Sequence, residues 1–578
     1  MTPHRPAPTP AIVPESAVRR LPRLALWLFC LAYVVPGMVG RTPWKGDEIA
    51  AFGQMLALAQ GHSSWLQPTL WGHAPDLDAL LPYWIGAWAI QLKPIWMSAA
   101  MAARAPFVLL CALTLASTWY GCYYLALSPQ AQPVAFAFGG EARPKDYART
   151  IADAALLAMI ATLGLALLSH QTGVVLMQLA CVGLSFYGVA ALPYHPRYSL
   201  SALVLGLLGL TLSGAPSFAV LMAIGSGLLC LMDNQSTDKP TARYHALALL
   251  VIGLLAAWLA SVLDVWQWRL QVLPQRWVEW RSLLRFLIWF TWPVWPLALW
   301  TLWRWRRHWW SIRWSRHLIL PLWFALLVSA TALVTPSPER TLLLALPALA
   351  CLAAFALPTL RRGVTAFIDW FTLIFFTGCA FVIWVIWIAM QTGWPAQPAA
   401  NVAKLLPGFE PSLNLIALVM AILATLAWAA LVQWRVGRHR HPLWKSLVLP
   451  AGGAALCWLL LMTLWLPLLD YARSYVPWVR QVQTVMNAPP ASCVLTYGLN
   501  LGQMTAFHYH GQLEVQPLDQ HPRQSEKAKP NCQWLLVDDD LRPGLNKVVQ
   551  LKQWERMRTI RRPSDNDEDI TLYRLRQP

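Results

Sequence analysis

Two adjacent carboxylates, Asp47 and Glu48, follow closely on the first long apolar segment of this 578-residue chain. Basic side chains stand beside them at Arg41 and Lys45. Side chains of these types are the ones that acid–base chemistry and anion binding require. An isolated acidic pair is also typical of a solvated turn after a helix, so the elements around it decide between the two interpretations.

The composition places this stretch at a membrane surface. The chain is 57% hydrophobic and 12% charged, whereas soluble domains are about 45–50% apolar and about 25% charged. This composition predicts an integral membrane protein. The net charge of +18 comes from short basic clusters between apolar runs, which is typical of cytoplasmic loops and excludes a nucleic-acid-binding surface. The 35 tryptophans fit membrane–water interfaces.

The N-terminal region sets the predicted topology. Residues 1–21 are rich in Pro, Ala and Thr and predict a disordered cytoplasmic tail. Basic residues then precede the apolar run 24–39, which we interpret as an uncleaved first transmembrane helix with its N-terminus in the cytoplasm. The loop 41–103 is therefore expected outside. It contains helical stretches near 48–60 and 82–92, which we expect to lie along the membrane surface.

The transmembrane domain is predicted over residues 22–467, with about thirteen spans. The later basic clusters all fall on the cytoplasmic side if each apolar run crosses once. The spans after the first are expected near 104–127, 151–168, 174–190, 200–213, 217–232, 244–263, 286–303, 318–334, 341–358, 366–389, 414–432 and 446–467. An odd number of spans delivers the rest of the chain to the outer side.

Residues 468–578 change composition and predict a small α/β domain in the periplasm. Short β-like runs at 493–497 and 532–537 alternate with Pro, Asn and Asp. Cys493 and Cys532 each begin one of these runs, so they are either a disulfide in an oxidising compartment or two free buried thiols. The chain contains no zinc-site spacing, P-loop, dinucleotide fingerprint or Gly-x-Ser-x-Gly motif.

The order of the predicted segments, together with several motifs, resembles that of the GT-C glycosyltransferases that use polyprenyl-phosphate sugars, above all family 39 and the lipid A aminoarabinose transferases. The likeness covers the chain from about residue 22 to the last span. Its most specific motif is Arg-x-x-Trp-x-x-Asp-Glu at 41–48. Further matching stretches are Leu81-Pro82-Tyr83-Trp84, Phe290-Thr291-Trp292-Pro293-Val294-Trp295-Pro296-Leu297, and Glu339-Arg340 ahead of Leu344-Ala345-Leu346-Pro347.

The resemblance implies transfer of a sugar from a polyprenyl-phosphate donor to a lipid, glycan or protein acceptor. The reaction would take place, with inversion, at the periplasmic face of a bacterial inner membrane. By this resemblance Asp47 is the base or orients the acceptor. Glu48 is either a second acid that holds hydroxyl groups or a stabiliser of the helix that follows. The groups expected to bind substrate are Arg340, Arg281, Arg285, Lys45, His170 and Tyr83, and the arginines and Lys45 among them are candidates for holding the donor phosphate.

Several of these residues also have simpler interpretations. Arg281 and Arg285 are spaced to bind lipid headgroups from one helical face. Arg340 is adjacent to Glu339 and can pair with it. His170 can be an ordinary interfacial side chain.

The chain also departs from the family pattern. Ile49 follows the acidic pair, where many relatives continue to Arg-Tyr, and the Lys of a Glu-Lys-Pro-Pro-Leu stretch is missing. Aminoarabinose is therefore not assumed to be the sugar. Asp76 and Asp78 either replace the family's acidic residue, holding an amino group or a divalent metal, or lie in a solvated loop. No other cofactor is implied.

Two other function classes stay open beside the sugar transferase. A transporter or flippase would favour internal repeats and ionisable groups at mid-membrane depth, but the acids of this chain cluster at span ends. An inactive membrane scaffold that presents its C-terminal domain would account for the eroded motifs. Beyond donor and acceptor, only membrane lipids are expected as partners.

Overall fold

Helices account for most of the structure, and one small sheet lies near the C-terminus. The computed structural model describes residues 9–75, 78–232, 239–266, 276–309, 315–335, 338–436, 443–487, 489–518, 532–565 and 568–576. The first helices are α1 Arg23–Val34, α2 Asp47–Ala59, α3 Leu81–Gln91, α4 Ala99–Ala126, α5 Pro144–Ala161, α6 Leu165–Leu168, α7 Val174–Ala191, α8 Pro196–Leu212, α9 Pro216–Met232, α10 Lys239–Val262 and α11 Trp277–Phe290.

The later elements include the helices on either side of Arg340 and those of the C-terminal domain. The helices are α12 Val294–Arg304, α13 Arg306–Trp309, α14 Arg316–Ala332, α15 Pro338–Leu343, α16 Leu346–Ala354, α17 Arg362–Thr392, α18 Ala396–Leu405, α19 Leu415–Val436, α20 Lys445–Leu461, α21 Leu466–Arg473, α22 Val476–Met486 and α23 Leu501–Tyr509. The strands are β1 Cys493–Tyr497, β2 Glu514–Pro517, β3 Trp534–Asp538, β4 Trp554–Arg561 and β5 Asp569–Leu575.

The predicted fold class, a polytopic helical membrane protein, is confirmed. By length and composition, five described helices can each cross a membrane, or up to seven spans exist if each of two bent helix pairs crosses once. The bent pairs are α11 with α12, at 89°, and α20 with α21, at 69°. Because other apolar helices have only 10–17 residues, the count of about thirteen crossings stays a prediction.

Helix α5 lies at the centre of the bundle. Every residue from Ile151 to Ala161 is buried, and the helix packs against α4, α16 and α20. Its many alanines let neighbouring backbones approach closely, which is how helices gain van der Waals contact in a membrane. Helix α4 also packs against α7, and α7 packs against α8. This framework holds the ends of the helices that carry the site.

The two helices expected in the first outer loop are present as α2 and α3. That both helices lie along the membrane surface stays a prediction. Helix α2 is enclosed by α3, α4 and helix α23 of the C-terminal domain. Glycines allow this close approach. A Cβ atom at Gly53 would collide with Thr505 of α23, and one at Gly86 would collide with Met55. The C-terminal domain therefore covers one side of the helix that begins at Asp47.

The C-terminal α/β domain is a five-stranded sheet in the order β2-β1-β3-β5-β4. Strands β2 and β3 pair parallel with β1, and β5 pairs antiparallel with β3 and β4. The strands predicted at 493–497 and 532–537 are confirmed as β1 and β3, although β3 begins at Trp534. Of the two states left open for Cys493 and Cys532, the structure has the disulfide, with Cα atoms 4.8 Å apart.

The prediction of a disordered tail is wrong for residues 9–21. This segment packs against the loop 128–143, where Val134 and Ala142 donate backbone hydrogen bonds to Ala11 and Val13, both at 3.0 Å. The side chains of Ala11 and Val13 are buried, so even a Pro-rich segment finds apolar contact and backbone partners here. Residues 1–8 lie outside the described part of the chain.

Candidate active site

The candidate site begins at the N-terminus of α2. Gly46 precedes the helix with a φ of +88°, a left-handed conformation that glycine adopts without strain. The first two helical residues, Asp47 and Glu48, are acids, which the helix dipole favours at this end. Their environments differ sharply: the side chain of Asp47 is 38% exposed, whereas that of Glu48 is 1% exposed.

Glu48 is the centre of a buried hydrogen-bond network. Arg41 donates to both of its carboxylate oxygens, at 2.6 and 2.9 Å. The backbone N–H groups of Trp44 and Thr172 donate to it at 3.1 and 3.3 Å. The guanidinium of Arg104 lies 3.5 Å from the same carboxylate. Two arginines and two backbone donors thus occupy the oxygens of Glu48.

This network keeps Glu48 ionised. Burial alone would raise its pKa, but the charges of Arg41 and Arg104 and the hydrogen bonds from Arg41 and Trp44 outweigh burial and lower it. A carboxylate with this many donors has little capacity left for a substrate hydroxyl. The predicted role of Glu48 as a second acid that holds hydroxyls is therefore not what its contacts favour. The network instead fixes the first turn of α2 in place.

Arg41 links the network to the start of α7. Its guanidinium donates to the backbone carbonyl of His170 at 2.7 Å and to that of Gly37 at 2.6 Å. The imidazole of His170 is buried, and its Nε2 lies 2.8 Å from the carbonyl oxygen of Tyr33. His170 was predicted to bind substrate. The structure shows its backbone holding Arg41 and its ring packed inside the protein.

A second set of contacts fastens the stretch 41–44 to the end of α21. Asp470 accepts hydrogen bonds from the backbone and hydroxyl of Thr42, at 3.1 and 2.8 Å, and from the indole of Trp44 at 3.0 Å. The same indole lies between two guanidinium groups, with Arg41 at 4.3 Å and Arg473 at 5.2 Å from its centroid. The motif's Arg and Trp are thus structural neighbours.

Arg340 meets Asp47 directly. The guanidinium of Arg340 forms an ion pair with the carboxylate of Asp47, and both side chains keep about a third of their surface exposed. Helix α15, which carries Arg340, packs against α14 and against α6. The alternative interpretation, a pair between Arg340 and Glu339, is not the arrangement found. Two residues predicted separately as base and phosphate ligand therefore lie side by side.

A cavity opens beside this pair. Its volume is about 540 Å³, including space that is open to solvent. Residues from α2, α3 and the start of α7 form most of its wall, and Leu501 of the C-terminal domain completes it. The polar groups in the wall include Asp47, Gln54, Tyr83 and Thr172. Tyr83, predicted from its motif to bind substrate, is buried there.

Other predicted site residues lie elsewhere. The ammonium of Lys45 forms an ion pair with Asp565 and lies 3.8 Å from Glu568, so it faces the C-terminal domain. Arg281 and Arg285 are exposed on α11.

Of the two loop aspartates, only Asp78 can be placed. Its backbone carbonyl lies against the turn at Gly214, and Asp78 is not among the described residues that line the cavity. Asp76 falls outside the described residues. Within the described ranges, no group of three or more His, Cys, Asp or Glu side chains is placed to hold a metal ion.

Sequence reasoning missed four residues of this region. Arg104 carries a charge into the start of an apolar span, which is a detectable signal because such charges are costly unless they are paired. Asp470 is a charged residue at the end of the last predicted span, so the sequence marked it in the same way. Gln54 and Thr172 carry no sequence signal, because uncharged polar residues are common in helices and loops.

These features define the class of the protein as a polytopic helical membrane protein. Solved structures that share its fold include ArnT from Cupriavidus metallidurans bound to undecaprenyl phosphate and the same protein in the apo state, and this likeness identifies a GT-C fold. The first has a TM-score of 0.55 and 13% sequence identity, over 95% of this chain and 97% of the other. The second has a TM-score of 0.54 and 13% identity, over 95% and 96%.

Sequence comparison adds no relatives to these two structures. No family model matches the chain, and no curated protein is significantly similar to it in sequence. At 13% identity, the likeness to ArnT shows a shared fold.

Proposed function

We propose that this protein is a membrane glycosyltransferase that moves a sugar from a polyprenyl-phosphate donor to an acceptor at the periplasmic face of the membrane. The observation that carries the proposal is the ion pair of Asp47 and Arg340, with Asp47 lining a cavity from a rigidly held helix end. The structure of ArnT with undecaprenyl phosphate, which shares the fold over nearly the whole chain, supports a lipid phosphate as part of the donor.

Asp47 is the proposed base. Its carboxylate accepts the proton of an acceptor hydroxyl, and the acceptor oxygen forms a bond to the anomeric carbon of the sugar. The bond between that carbon and the phosphate oxygen breaks, and the electron pair leaves with the polyprenyl phosphate. Attack from the side opposite the phosphate inverts the configuration of the sugar carbon. A phosphate acceptor reacts in the same way, with Asp47 orienting it.

Arg340 is the proposed ligand of the leaving phosphate. A guanidinium can donate two hydrogen bonds to one phosphate, and its charge stabilises the negative charge that develops there. In a displacement the base and the leaving group stand on opposite sides of the sugar carbon. Arg340 therefore releases Asp47 when the donor enters, and the sugar occupies the space between them.

The energies of the two ion pairs fit this exchange. A partly exposed pair such as Asp47 with Arg340 contributes roughly 0–1 kcal/mol, so a phosphate can displace the carboxylate at little cost. Removing one partner from a buried pair such as Glu48 with Arg41 costs about 3–5 kcal/mol. The buried pair therefore keeps the helix end in place while the exposed pair changes partners.

The acceptor is proposed to be a lipid, glycan or protein group that reaches the cavity from the outer side. The C-terminal domain contributes Leu501 to the cavity wall, and α23 packs along α2. The domain therefore stands where an acceptor has to approach. This placement supports a reaction on the same side of the membrane as the domain.

The proposal is tested with purified protein, undecaprenyl-phosphate sugars and a mixture of lipid A and glycan acceptors. We expect transfer by the wild type and a fall of about 10²–10⁴-fold for Asp47→Asn, since that is the usual contribution of a positioned base. Asp146→Asn is the matched control, because Asp146 is a partly exposed carboxylate paired with Arg20 away from the cavity.

Three outcomes would contradict the proposal. Equal transfer by Asp47→Asn would exclude Asp47 as the base. Binding of undecaprenyl phosphate without turnover of any tested sugar would favour an inactive scaffold. Movement of the glycosylated lipid across a vesicle membrane, without transfer, would favour a flippase.

A further inference from the structure

Gln54 is a buried polar side chain with no visible structural purpose. It lies two turns into α2 and lines the cavity beside Asp47, with 1% of its surface exposed. Neither its amide oxygen nor its amide nitrogen has a hydrogen-bond partner among the described residues. Because buried polar groups in proteins are nearly always paired, an unpartnered amide at a cavity wall points to a ligand.

Thr172, on a second wall of the same cavity, also has a buried polar group without a partner. Its side chain is buried, and its hydroxyl has no hydrogen-bond partner within the described part of the chain. The backbone N–H of Thr172 donates to Glu48 at 3.3 Å, so the residue is held in place by the network that orders the start of α2. Two unpartnered groups from separate segments thus line one cavity.

The chemistry of the wall indicates what these groups bind. An amide both donates and accepts hydrogen bonds, as does a hydroxyl, and the hydroxyls of a sugar need partners of both kinds. The carboxylates among the described lining residues, Asp47 and Glu48, are each paired with an arginine. The remaining described wall residues are uncharged, so the hydroxyl groups of a sugar are the ligand atoms that Gln54 and Thr172 can pair with.

We propose that Gln54 and Thr172 bind hydroxyl groups of the sugar on the donor lipid. This inference rests on the proposed transferase activity and names residues that select the sugar in the same cavity. Binding a substrate hydroxyl gives the amide of Gln54 the partners it lacks in the free protein. A site built in this way discriminates against ligands without the hydroxyl, since its polar groups then stay buried and unpaired.

The test compares Gln54→Leu with the wild type, because Leu is similar in size and cannot form hydrogen bonds. Affinities for undecaprenyl phosphate and for undecaprenyl-phosphate glucose are measured with purified protein in detergent. We expect the wild type to bind the glucose lipid at least about 10-fold more tightly than the bare lipid, the scale of one well-placed hydrogen bond. Gln54→Leu is expected to lose this preference and to bind bare undecaprenyl phosphate as before.

Thermal unfolding separates binding from a structural role. Gln54→Leu removes an unpaired buried amide, so its melting temperature is expected to equal or exceed that of the wild type. Gln178→Leu is the matched control, because Gln178 donates to the carbonyl of Ser213 at 2.7 Å. Losing that bond lowers the melting temperature, while the preference for the glucose lipid stays intact.

Each possible result either supports or contradicts the proposal that Gln54 and Thr172 bind the donor sugar. An unchanged sugar preference in Gln54→Leu, or a wild type that prefers no glycosylated lipid, would overturn it. A sugar preference that depends on Gln54 in a protein without turnover would support the sugar site and contradict the transferase activity alone.

Discussion

The guanidinium of Arg340 pairs with the carboxylate of Asp47, a residue of the cavity wall, and so joins helices α15 and α2. The ion pair also compensates both charges while no donor is bound. In the proposed mechanism, the donor phosphate takes Arg340 from Asp47 and frees the base in the same step.

Arg340→Gln is expected to reduce kcat/KM for the donor by about 10²–10³-fold, since one charge-assisted ligand of a developing anion is removed. Arg340→Lys is expected to recover part of the loss, because lysine keeps the charge and loses the two-pronged geometry. Steady-state transfer rates at varied donor concentration measure both effects. Arg362→Gln, an exposed arginine at the start of α17, is the control. Equal loss in that control would mean that general surface charge, and not Arg340, acts on the donor.

Glu48→Gln is expected to destabilise the protein by about 3–5 kcal/mol, because it leaves Arg41 and Arg104 buried without their carboxylate. Denaturant or thermal unfolding in detergent measures the change. Glu410→Gln on the exposed surface is the control and is expected to stay within about 0.5 kcal/mol of the wild type. A stable Glu48→Gln protein that has lost transfer would instead restore Glu48 to the chemistry.

The lowered pKa of Glu48 predicts a pH dependence of stability. The unfolded carboxyl has an ordinary pKa of 4.5 and the folded one a lower pKa, so the contribution is complete above pH 4.5. It is lost as the pH falls from 4.5 through the folded value. Melting temperatures from pH 7 to pH 3.5 are expected to fall more steeply for the wild type than for Glu48→Gln. Parallel curves would contradict the assignment.

The orientation in the membrane is tested by cysteine labelling. Met557 lies exposed on β4 of the C-terminal domain, and Phe138 lies fully exposed in the loop 128–143. With an impermeant maleimide, Met557→Cys is expected to react in cells whose outer membrane alone is opened. Phe138→Cys is expected to react only after the inner membrane is opened. The reverse pattern would place the C-terminal domain, and the cavity beside it, in the cytoplasm.

Local patterns predicted much of the fold. Apolar runs, interrupted by basic clusters, indicated a polytopic membrane protein, and the strands near Cys493 and Cys532 were recognisable from β-branched and apolar residues between breakers. The tail was predicted wrongly because composition indicates only a tendency to disorder. It does not reveal that Ala11 and Val13 pack against the loop 128–143 and accept backbone hydrogen bonds from it.

Contacts distant in sequence were beyond prediction. Asp47 and Glu48 are adjacent and chemically alike, yet the side chain of Asp47 is 38% exposed and that of Glu48 is enclosed by Arg41 and Arg104. Lys45, two residues away from Asp47, points to Asp565. The surroundings of each of these three side chains, whether water, an arginine or another domain, depend on the helices that pack around it in the bundle.

The sequence by itself determined that this is a helical membrane protein with an acidic motif where the first span ends, because hydropathy and helix-end preferences act over a few residues. Only the tertiary structure decided that Asp47 pairs with Arg340, that Glu48 is buried, and that Gln54 and Thr172 line a cavity without partners. The physical reason is that burial and ion pairing depend on the positions of distant helices, and burial together with neighbouring charge sets what a carboxylate can do.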